Sequence, residues 1–192
     1  MLQYLCAAGI GTIGIVDFDK IELHNLPRQV LYATADIGKP KAEVAAEILK
    51  SHNPNVKFSV FNEVLSRKNS IETFSPFDVI IDCSDNFPTR YLINDTCVEL
   101  NKPLVYGSIY NFEAQLAVFN YKGGKNLRDF FPEPPNPEDV PGCNENGVLG
   151  VVPGILGIYM ANVCLQIVHD TYDNNSLFLF DLKLLRQIKV TM

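Results

Sequence analysis

The stretch "GTIGIVDFDKIELHNLPRQ", residues 11–29, decides the fold. Its first part, "TIGIVDFD" (12–19), is an unbroken β-branched apolar run that ends in two acids, Asp17 and Asp19. A strand without polar alternation is typical of a parallel sheet, because helices cover both faces of such a sheet. The polar residues that follow predict an irregular connection over 18–39, leading to a helix that begins at Lys41.

Working outward, strands and helices alternate along most of the chain. The predicted helices are 2–8, 41–52, 66–74, 86–101 and 152–168, and the predicted strands are 12–19, 56–62, 77–83, 102–108 and 113–121, with a closing hairpin of 177–182 and 186–192. This order predicts an α/β fold: a Rossmann-like, mostly parallel sheet with helices on both faces and a C-terminal antiparallel extension. We expect a single domain over residues 1–192, with the proline-rich stretch 122–146 as a crossing loop.

Composition narrows the possible partners. The net charge is −6 and the pI about 5.0, which argues against a nucleic-acid partner, since such a partner requires a basic surface. The longest apolar stretch, 147–168, is interrupted by glycines and a proline, so we expect no membrane-spanning segment, and no signal peptide is visible. The five cysteines contain no CxxC pair, which favours reduced thiols and a cytoplasmic location.

Acids follow several predicted parallel strands, and ligands of open α/β sheets bind beyond the carboxyl ends of strands. Asp17 and Asp19 follow one strand, and Asp82 and Asp85 follow another. An ionised carboxylate only accepts hydrogen bonds, so Asp17 is suited to bind the hydroxyls of a ribose. For Asp19, a solvated turn acid and a nucleotide ligand are equally good interpretations.

Two cations complement these acids. Arg28 can bind phosphate oxygens in bidentate fashion, and Lys41 places a charge at the start of a helix. A first-turn lysine could simply be solvated, but a cation there opposes the helix dipole unless an anion binds nearby. The set predicts a site for a nucleoside triphosphate.

The segment "DCSDN" (82–86) predicts a second acidic site. Asp85 could hold Mg²⁺ together with substrate phosphates. Alternatively Ser84, Asp85 or Asn86 caps the next helix, and the two functions are compatible. Arg90 could pair with Asp85 or with a phosphate, and the ion pair is the simpler interpretation.

Cys143, in the polar loop "GCNENG", is the cysteine most suited to exposure. A loop thiol can act as a nucleophile if its pKa is lowered, but no histidine is near it in the sequence. The three histidines show neither catalytic nor metal-ligand spacing.

Several segments together resemble the MoeB/ThiF family, the bacterial branch of the E1-like superfamily. They are "DFDKIELHNLPRQ", "GKPKAEVAAEIL", "VIIDCSDNFPTRYLIND", "KPLVYGS", "EAQLAVFNY" and "GVLGVVPGILG", in the order typical of that family and over essentially the whole chain.

The resemblance implies ATP-dependent adenylation of the C-terminal glycine of a ubiquitin-like sulfur-carrier protein, of the MoaD or ThiS kind, in molybdopterin or thiamine biosynthesis. It implies ATP and Mg²⁺ as cofactors, a carrier ending in Gly-Gly and a homodimer. The positions carried over are Asp17 for ribose, Asn25, Arg28 and Lys41 for phosphates, Asp19 and Gln29 as further nucleotide-binding residues, Asp85 for Mg²⁺ and phosphate, and Cys143 for a sulfur-transfer role of some relatives.

Two departures from the family pattern matter. The chain starts inside the first helix, so the first strand and its glycine-rich turn are missing from the expected fold. Asn126 and Asp129 stand where many relatives have zinc-binding cysteines, so we expect no zinc site. An alternative to an active adenylyltransferase is therefore a silent fragment that only binds a carrier or dimer partner. A dehydrogenase that uses NAD would share the fold class but has no use for Arg28, Lys41 and Asp85 as one set.

Overall fold

The computed structural model describes residues 1–135, 148–173 and 176–191. Within the chain, the backbone contacts separate two compact units, Met1–Leu65 and Ser66–Met192. A single-domain organisation over residues 1–192 stays a prediction.

The first unit is a small parallel α/β layer. It contains α1 (Leu2–Ala7), β1 (Thr12–Val16), α2 (Lys41–His52) and β2 (Lys57–Phe61). β1 and β2 pair in parallel, with Thr12 opposite Lys57 and Val16 opposite Phe61. Helix α2 has the predicted bounds, because its apolar side chains recur at helical spacing and pack inward. β1 is shorter than predicted, so Asp17 is the first residue beyond the strand.

The connection between β1 and α2 is an ordered loop whose two ends are hydrogen-bonded to each other. The amide of Ile21 donates to the Lys39 carbonyl at 2.9 Å, and the amide of Gly38 donates back to the Ile21 carbonyl at 2.8 Å. Gly38 has a φ of +87°, a conformation that favours glycine. Two short 3₁₀ helices, Leu23–Asn25 and Thr34–Asp36, lie inside the loop. Closed ends of this kind are typical of functional loops.

The second unit is a mixed sheet with helices. Its elements are α3 (Ser70–Phe74), β3 (Ile80–Asp82), α4 (Phe87–Glu99), β4 (Leu104–Tyr110), β5 (Glu113–Phe119), α5 (Val151–Val168), β6 (Ser176–Asp181) and β7 (Arg186–Thr191). The strand order is β3-β4-β5-β6-β7; β3 and β4 are parallel and the remaining pairs antiparallel. The α/β fold with a C-terminal antiparallel extension is thus confirmed, with the described strands in two sheets rather than one. β5 is antiparallel to β4 because only two residues join them, too few for a parallel crossover.

The glycines and the proline of the apolar stretch 147–168 do not break helix α5, whose 18 residues are long and apolar enough to cross a membrane by length and composition alone. The expected absence of a membrane-spanning segment stays a prediction. Pro153 lies in the first turn, where its missing N–H costs little, so it does not shorten the helix. The helix packs on β4 and β5, and 44% of the span is buried. Gly107 of β4 allows the approach, because a Cβ there would overlap the Met160 sulfur.

The start of the predicted crossing loop is held by polar contacts, and its residues 136–146 lie outside the described residues. The Asn126 backbone and side-chain amides both donate to Asp129 Oδ2 at 2.8 Å, around a 3₁₀ turn, Leu127–Asp129. The Leu127 amide donates to the buried side chain of Asn94 on α4. Asn126 and Asp129 thus cap a turn. Nowhere in the described ranges do three or more His, Cys, Asp or Glu side chains form a group that could hold a metal ion.

Candidate functional site

The residues just beyond β1 form a turn that directs one carboxylate toward a lysine. Asp17 Oδ1 accepts a hydrogen bond from the Asp19 amide at 2.9 Å, which bends the chain sharply after the strand. Asp19 Oδ2 then lies 2.8 Å from Lys41 Nζ. The Lys41 amide also donates to the Asp19 carbonyl at 2.9 Å, so the start of α2 is fixed against this turn by backbone and side chain together.

The two partners of the Lys41–Asp19 ion pair differ in their exposure to solvent. The lysine side chain is 8% exposed, whereas the aspartate side chain is 50% exposed. Of the two interpretations left open for Asp19, the structure supports neither alone, since the carboxylate is both partly solvated and paired. A half-exposed carboxylate can turn toward water when another anion approaches the ammonium group, so the geometry is compatible with the predicted role of Lys41 in phosphate binding.

Tyr32 belongs to the same cluster, although the sequence analysis did not select it. Its hydroxyl donates to the Lys41 carbonyl at 3.1 Å. Burial, and then the negative charge of Asp17, raises the pKa of Tyr32 to about 12. The phenol therefore stays protonated at neutral pH and keeps this hydrogen bond. Only the partial burial of Tyr32 in the fold identifies it as part of the cluster, and no pattern in the sequence singles it out.

Asn25 and Arg28 lie in the middle of the closed loop. Asn25 is buried, and its side-chain oxygen accepts from the Glu22 amide at 3.1 Å, so it stabilises the loop itself. One guanidinium nitrogen of Arg28 donates to the His24 carbonyl at 2.9 Å. Within the described part of the chain Arg28 has no carboxylate partner, so most of its guanidinium donors remain available for an anion.

Gln29 carries an unsatisfied acceptor. Its Oε1 atom is buried without a hydrogen-bond partner, the one buried side-chain nitrogen or oxygen of the described residues in that state. Leaving a buried acceptor unpaired costs about 1–3 kcal/mol. An ordered water or a ligand can supply the missing donor, and a nucleotide has hydroxyls and an amine suited to it.

The second candidate region is the turn between β3 and α4. Asp82, the last residue of β3, is fully buried; its Oδ1 accepts from the Ser84 amide at 2.8 Å and from the Ser84 hydroxyl at 2.6 Å. Its Oδ2 accepts from Arg90 Nη1 at 3.0 Å. Of the two partners proposed for Arg90, Asp85 is therefore wrong, and the arginine pairs with Asp82.

Contacts distant in sequence explain this choice of partner. Arg90 also donates to the Gly107 carbonyl on β4 at 2.8 Å, and its guanidinium lies 5.1 Å from the ring centroid of Tyr106. These groups draw the side chain inward, under the sheet end, and away from the exposed Asp85. Asn86 is the helix cap, since its side-chain oxygen accepts from the Thr89 amide at 2.9 Å.

Asp85 itself is exposed and has no ion-pair partner among the residues that the structure describes. The structure thus brings Asp17, Asp19 and Lys41 together in the first unit and presents Asp85 separately in the second. Cys143 lies outside the described residues. The binding roles of these residues, and of Asn25, Arg28 and Gln29, stay predictions.

Comparison with known proteins gives a consistent family match. The profile of the ThiF family matches residues 1–191. The chain is 47% identical over 173 residues to a sulfur carrier protein adenylyltransferase of Thermus thermophilus, covering 88% of this chain and 64% of the relative. It is 48% identical over 167 residues to the adenylyltransferase and sulfurtransferase MOCS3 of Danio rerio, covering 87% of this chain and 36% of the relative. The chain therefore spans between about a third and two thirds of these relatives.

Solved structures agree on the fold. The crystal structure of Escherichia coli MccB with ATP has a TM-score of 0.83 at 20% identity, covering 99% of this chain and 59% of MccB. The structure of PaaA has a TM-score of 0.81 at 21% identity, covering 99% of this chain and 59% of PaaA. At such low identities these likenesses establish the architecture alone.

Proposed function

The chain belongs to the ThiF family, and from that premise we propose that it is an adenylyltransferase that activates the C-terminal carboxylate of a small ubiquitin-like sulfur-carrier protein with MgATP. The names of its relatives, a sulfur carrier protein adenylyltransferase among them, support this substrate class. The observation that carries the proposal is the buried Lys41 ammonium, whose only ion-pair partner in the described residues is the half-exposed Asp19.

The residues beyond β1 fit a nucleotide. Asp17 provides an acceptor for ribose hydroxyls at the carboxyl end of a parallel strand. Arg28 and Lys41 provide positive charge for the triphosphate, and the unpaired Oε1 of Gln29 needs a donor. These residues offer an acceptor for the ribose and cations for the phosphates, which is why we prefer ATP to a neutral ligand.

Mg²⁺ is assigned to Asp85 on chemical grounds. Magnesium is usually held by one or two carboxylates together with substrate phosphates and waters. Asp85 is an exposed carboxylate beyond a parallel strand, without a competing cation among the described residues. Asp82 is unsuited to this role because Ser84 and Arg90 already occupy its oxygens.

The proposed reaction needs no covalent enzyme intermediate. A carboxylate oxygen of the carrier's terminal glycine bonds to the α-phosphorus of ATP, the bond from that phosphorus to the bridging oxygen breaks, and acyl-adenylate and pyrophosphate result. Both reactants are anions, so the contribution of the protein is to neutralise charge and hold them in line. Arg28 and Lys41 supply that neutralisation.

The test is ATP–pyrophosphate exchange in the presence of a carrier protein that ends in Gly-Gly. We expect exchange that depends on Mg²⁺ and on the intact carrier terminus. The matched control is the same carrier lacking its last glycine, which should support none. Binding of the carrier without exchange, at saturating MgATP, would favour the silent binding module instead.

Finer assignments remain proposals. A relative from Porphyra purpurea is named a probable molybdopterin-synthase adenylyltransferase, at 46% identity over 170 residues, so we favour molybdopterin over thiamine synthesis. A homodimer, a cytoplasmic location and a sulfur-transfer role for Cys143 stay predictions.

A further inference from the structure

We propose that Arg90 is a positioning residue that fixes where the Asp85 carboxylate lies, and that it thereby sets the affinity of the site for the divalent cation. The inference rests on the proposed function, because it takes Asp85 to be the Mg²⁺ ligand. It adds a residue that does not itself touch nucleotide or metal.

The guanidinium of Arg90 ties three parts of the second unit together. Nη1 donates to Asp82 at the end of β3 and to the Gly107 carbonyl on β4, at 3.0 and 2.8 Å. Nη2 donates to the Ser84 carbonyl in the turn at 2.6 Å. The arginine is 7% exposed and Asp82 is fully buried, so water does not compete for these bonds.

The result is a turn that is held on both sides of Asp85. On one side, Ser84 is bonded through its amide and hydroxyl to Asp82 and through its carbonyl to Arg90. On the other side, Asn86 caps α4 through the Thr89 amide. Asp85 is the single residue between these two anchors; it is exposed, and its Oδ1 accepts a hydrogen bond from Asn86 Nδ2 at 3.5 Å.

A fixed carboxylate matters for this metal in particular. Mg²⁺ demands near-octahedral geometry with Mg–O distances of about 2.0–2.1 Å, and it loses its waters reluctantly. A carboxylate whose position varies therefore binds Mg²⁺ weakly. Substituting the groups that hold a metal ligand in place lowers metal affinity by about 10- to 100-fold in other sites. We therefore expect Arg90 to act on the metal through the turn.

Only arginine can make this set of contacts. Its planar fork reaches the carboxylate and two carbonyls at once, whereas a lysine has one nitrogen on a flexible stem. Arg90→Lys keeps a buried positive charge opposite Asp82 but loses the simultaneous bonds to Ser84 and Gly107. The substitution thus loosens the turn without leaving Asp82 uncompensated.

The experiment measures the Mg²⁺ dependence of pyrophosphate exchange for the wild type, Arg90→Lys and Asp85→Asn. A parallel titration follows the electron paramagnetic resonance of Mn²⁺ in the presence of a non-hydrolysable ATP analogue, so that metal binding is read independently of turnover. Arg67→Lys is the matched control, because that arginine is highly exposed and pairs only at 3.7 Å with Asp95. Ser84→Ala is a milder second variant that removes one bond to Asp82 and keeps both buried charges.

We expect Arg90→Lys to raise the Mg²⁺ and Mn²⁺ concentrations for half-saturation about tenfold, while kcat at saturating metal stays within about threefold of wild type. Ser84→Ala should shift them in the same direction by less, and Arg67→Lys should shift neither. Unchanged half-saturation in folded Arg90→Lys and Ser84→Ala, with only lower thermal stability, would make Arg90 merely structural and overturn the inference. Unchanged metal affinity in Asp85→Asn would overturn it at its premise, whereas absent exchange with normal Mn²⁺ binding contradicts the proposed function alone.

Discussion

Two buried cations, Lys41 in the first unit and Arg90 in the second, show how differently one chain can pair a charge. Lys41 meets a single carboxylate, and that carboxylate is 50% exposed. Arg90 meets a carboxylate that is fully buried, together with two backbone carbonyls. Both side chains are equally hidden, at 8% exposure, so burial of the cation alone does not tell their roles apart.

The two ion pairs differ in whether water or another anion can replace the carboxylate partner of the cation. Asp82 has every oxygen engaged and no route to water, so its ion pair is a permanent part of the turn. Asp19 can be solvated in place, so the Lys41 ammonium can exchange it for another anion at little cost. We call Arg90–Asp82 the sealed pair and Lys41–Asp19 the open pair. The sealed pair is a fixed support for the turn that carries Asp85, the open pair is a binding site, and the predictions that follow test this distinction.

The largest expected effect is on stability. Arg90→Met should lower the free energy of unfolding by about 3–5 kcal/mol, because it leaves the Asp82 charge buried without a partner. Lys41→Met should cost no more than about 1 kcal/mol, because Asp19 is half-exposed and turns to water. Urea denaturation of both variants, followed by circular dichroism, measures the difference. Equal losses in the two variants would remove the distinction between the pairs.

The next effect is on activity. Lys41→Ala should reduce pyrophosphate exchange about 100- to 1,000-fold, the loss typical of a group that stabilises charge in the transition state. Asp19→Asn should reduce it far less, since the lysine remains and only its resting partner changes. Lys39→Ala is the control, because the Lys39 side chain is exposed and is hydrogen-bonded to Asp36 rather than to Asp19. Lys39→Ala as damaging as Lys41→Ala would show that the charge of this segment matters rather than the site.

The two residues of the open pair, although not their pairing, were predictable as site residues from the sequence. Asp17 and Asp19 end a continuous β-branched run, and the helix from Lys41 follows from local periodicity, so both sides of the cluster rest on short-range patterns. What the sequence could not indicate was that Asp19 and Lys41 are bonded to each other. They are 22 residues apart, and only the closure of the intervening loop brings them together.

The sealed pair was harder to predict. Asp82 and Asp85 are both near Arg90 in sequence, and nothing local separates them. The choice depends on Gly107, 17 residues further along, whose carbonyl draws the guanidinium inward. The unpaired oxygen of Gln29 was equally invisible, because burial of one atom depends on the whole packing around it. Non-local packing is the common cause of what the sequence analysis missed.

Gln29 offers a sharper test of the open site. Gln29→Met keeps a similar shape and removes the buried unpaired acceptor, so the free energy of unfolding should stay equal or rise, by up to about 1–3 kcal/mol. Affinity for a non-hydrolysable ATP analogue should fall at the same time, because the ligand loses that acceptor. Denaturation and calorimetric titration measure the two quantities. Lower stability with unchanged affinity would mean that the oxygen serves the fold and not a ligand.

The smallest expected effect concerns a third ion pair, Arg128–Asp95. The exposure of its carboxylate lies between those of Asp82 and Asp19. Arg128 binds both oxygens of Asp95 at 2.7 and 2.9 Å, and both side chains are partly exposed. The hydrogen bonds from Arg128 lower the pKa of Asp95, so the pair is at full strength above the ordinary aspartate pKa, about 3.9, and is lost as the pH falls through the lower pKa of the folded chain. Exposed pairs contribute about 0.2–1 kcal/mol. Asp95→Asn should therefore lower the urea midpoint slightly at pH 7 and flatten its decline in acid, relative to Asp78→Asn at an exposed position. If the urea midpoint of Asp95→Asn falls in acid as steeply as that of the wild type, other carboxylates cause the acid sensitivity and the Arg128–Asp95 pair does not contribute to it.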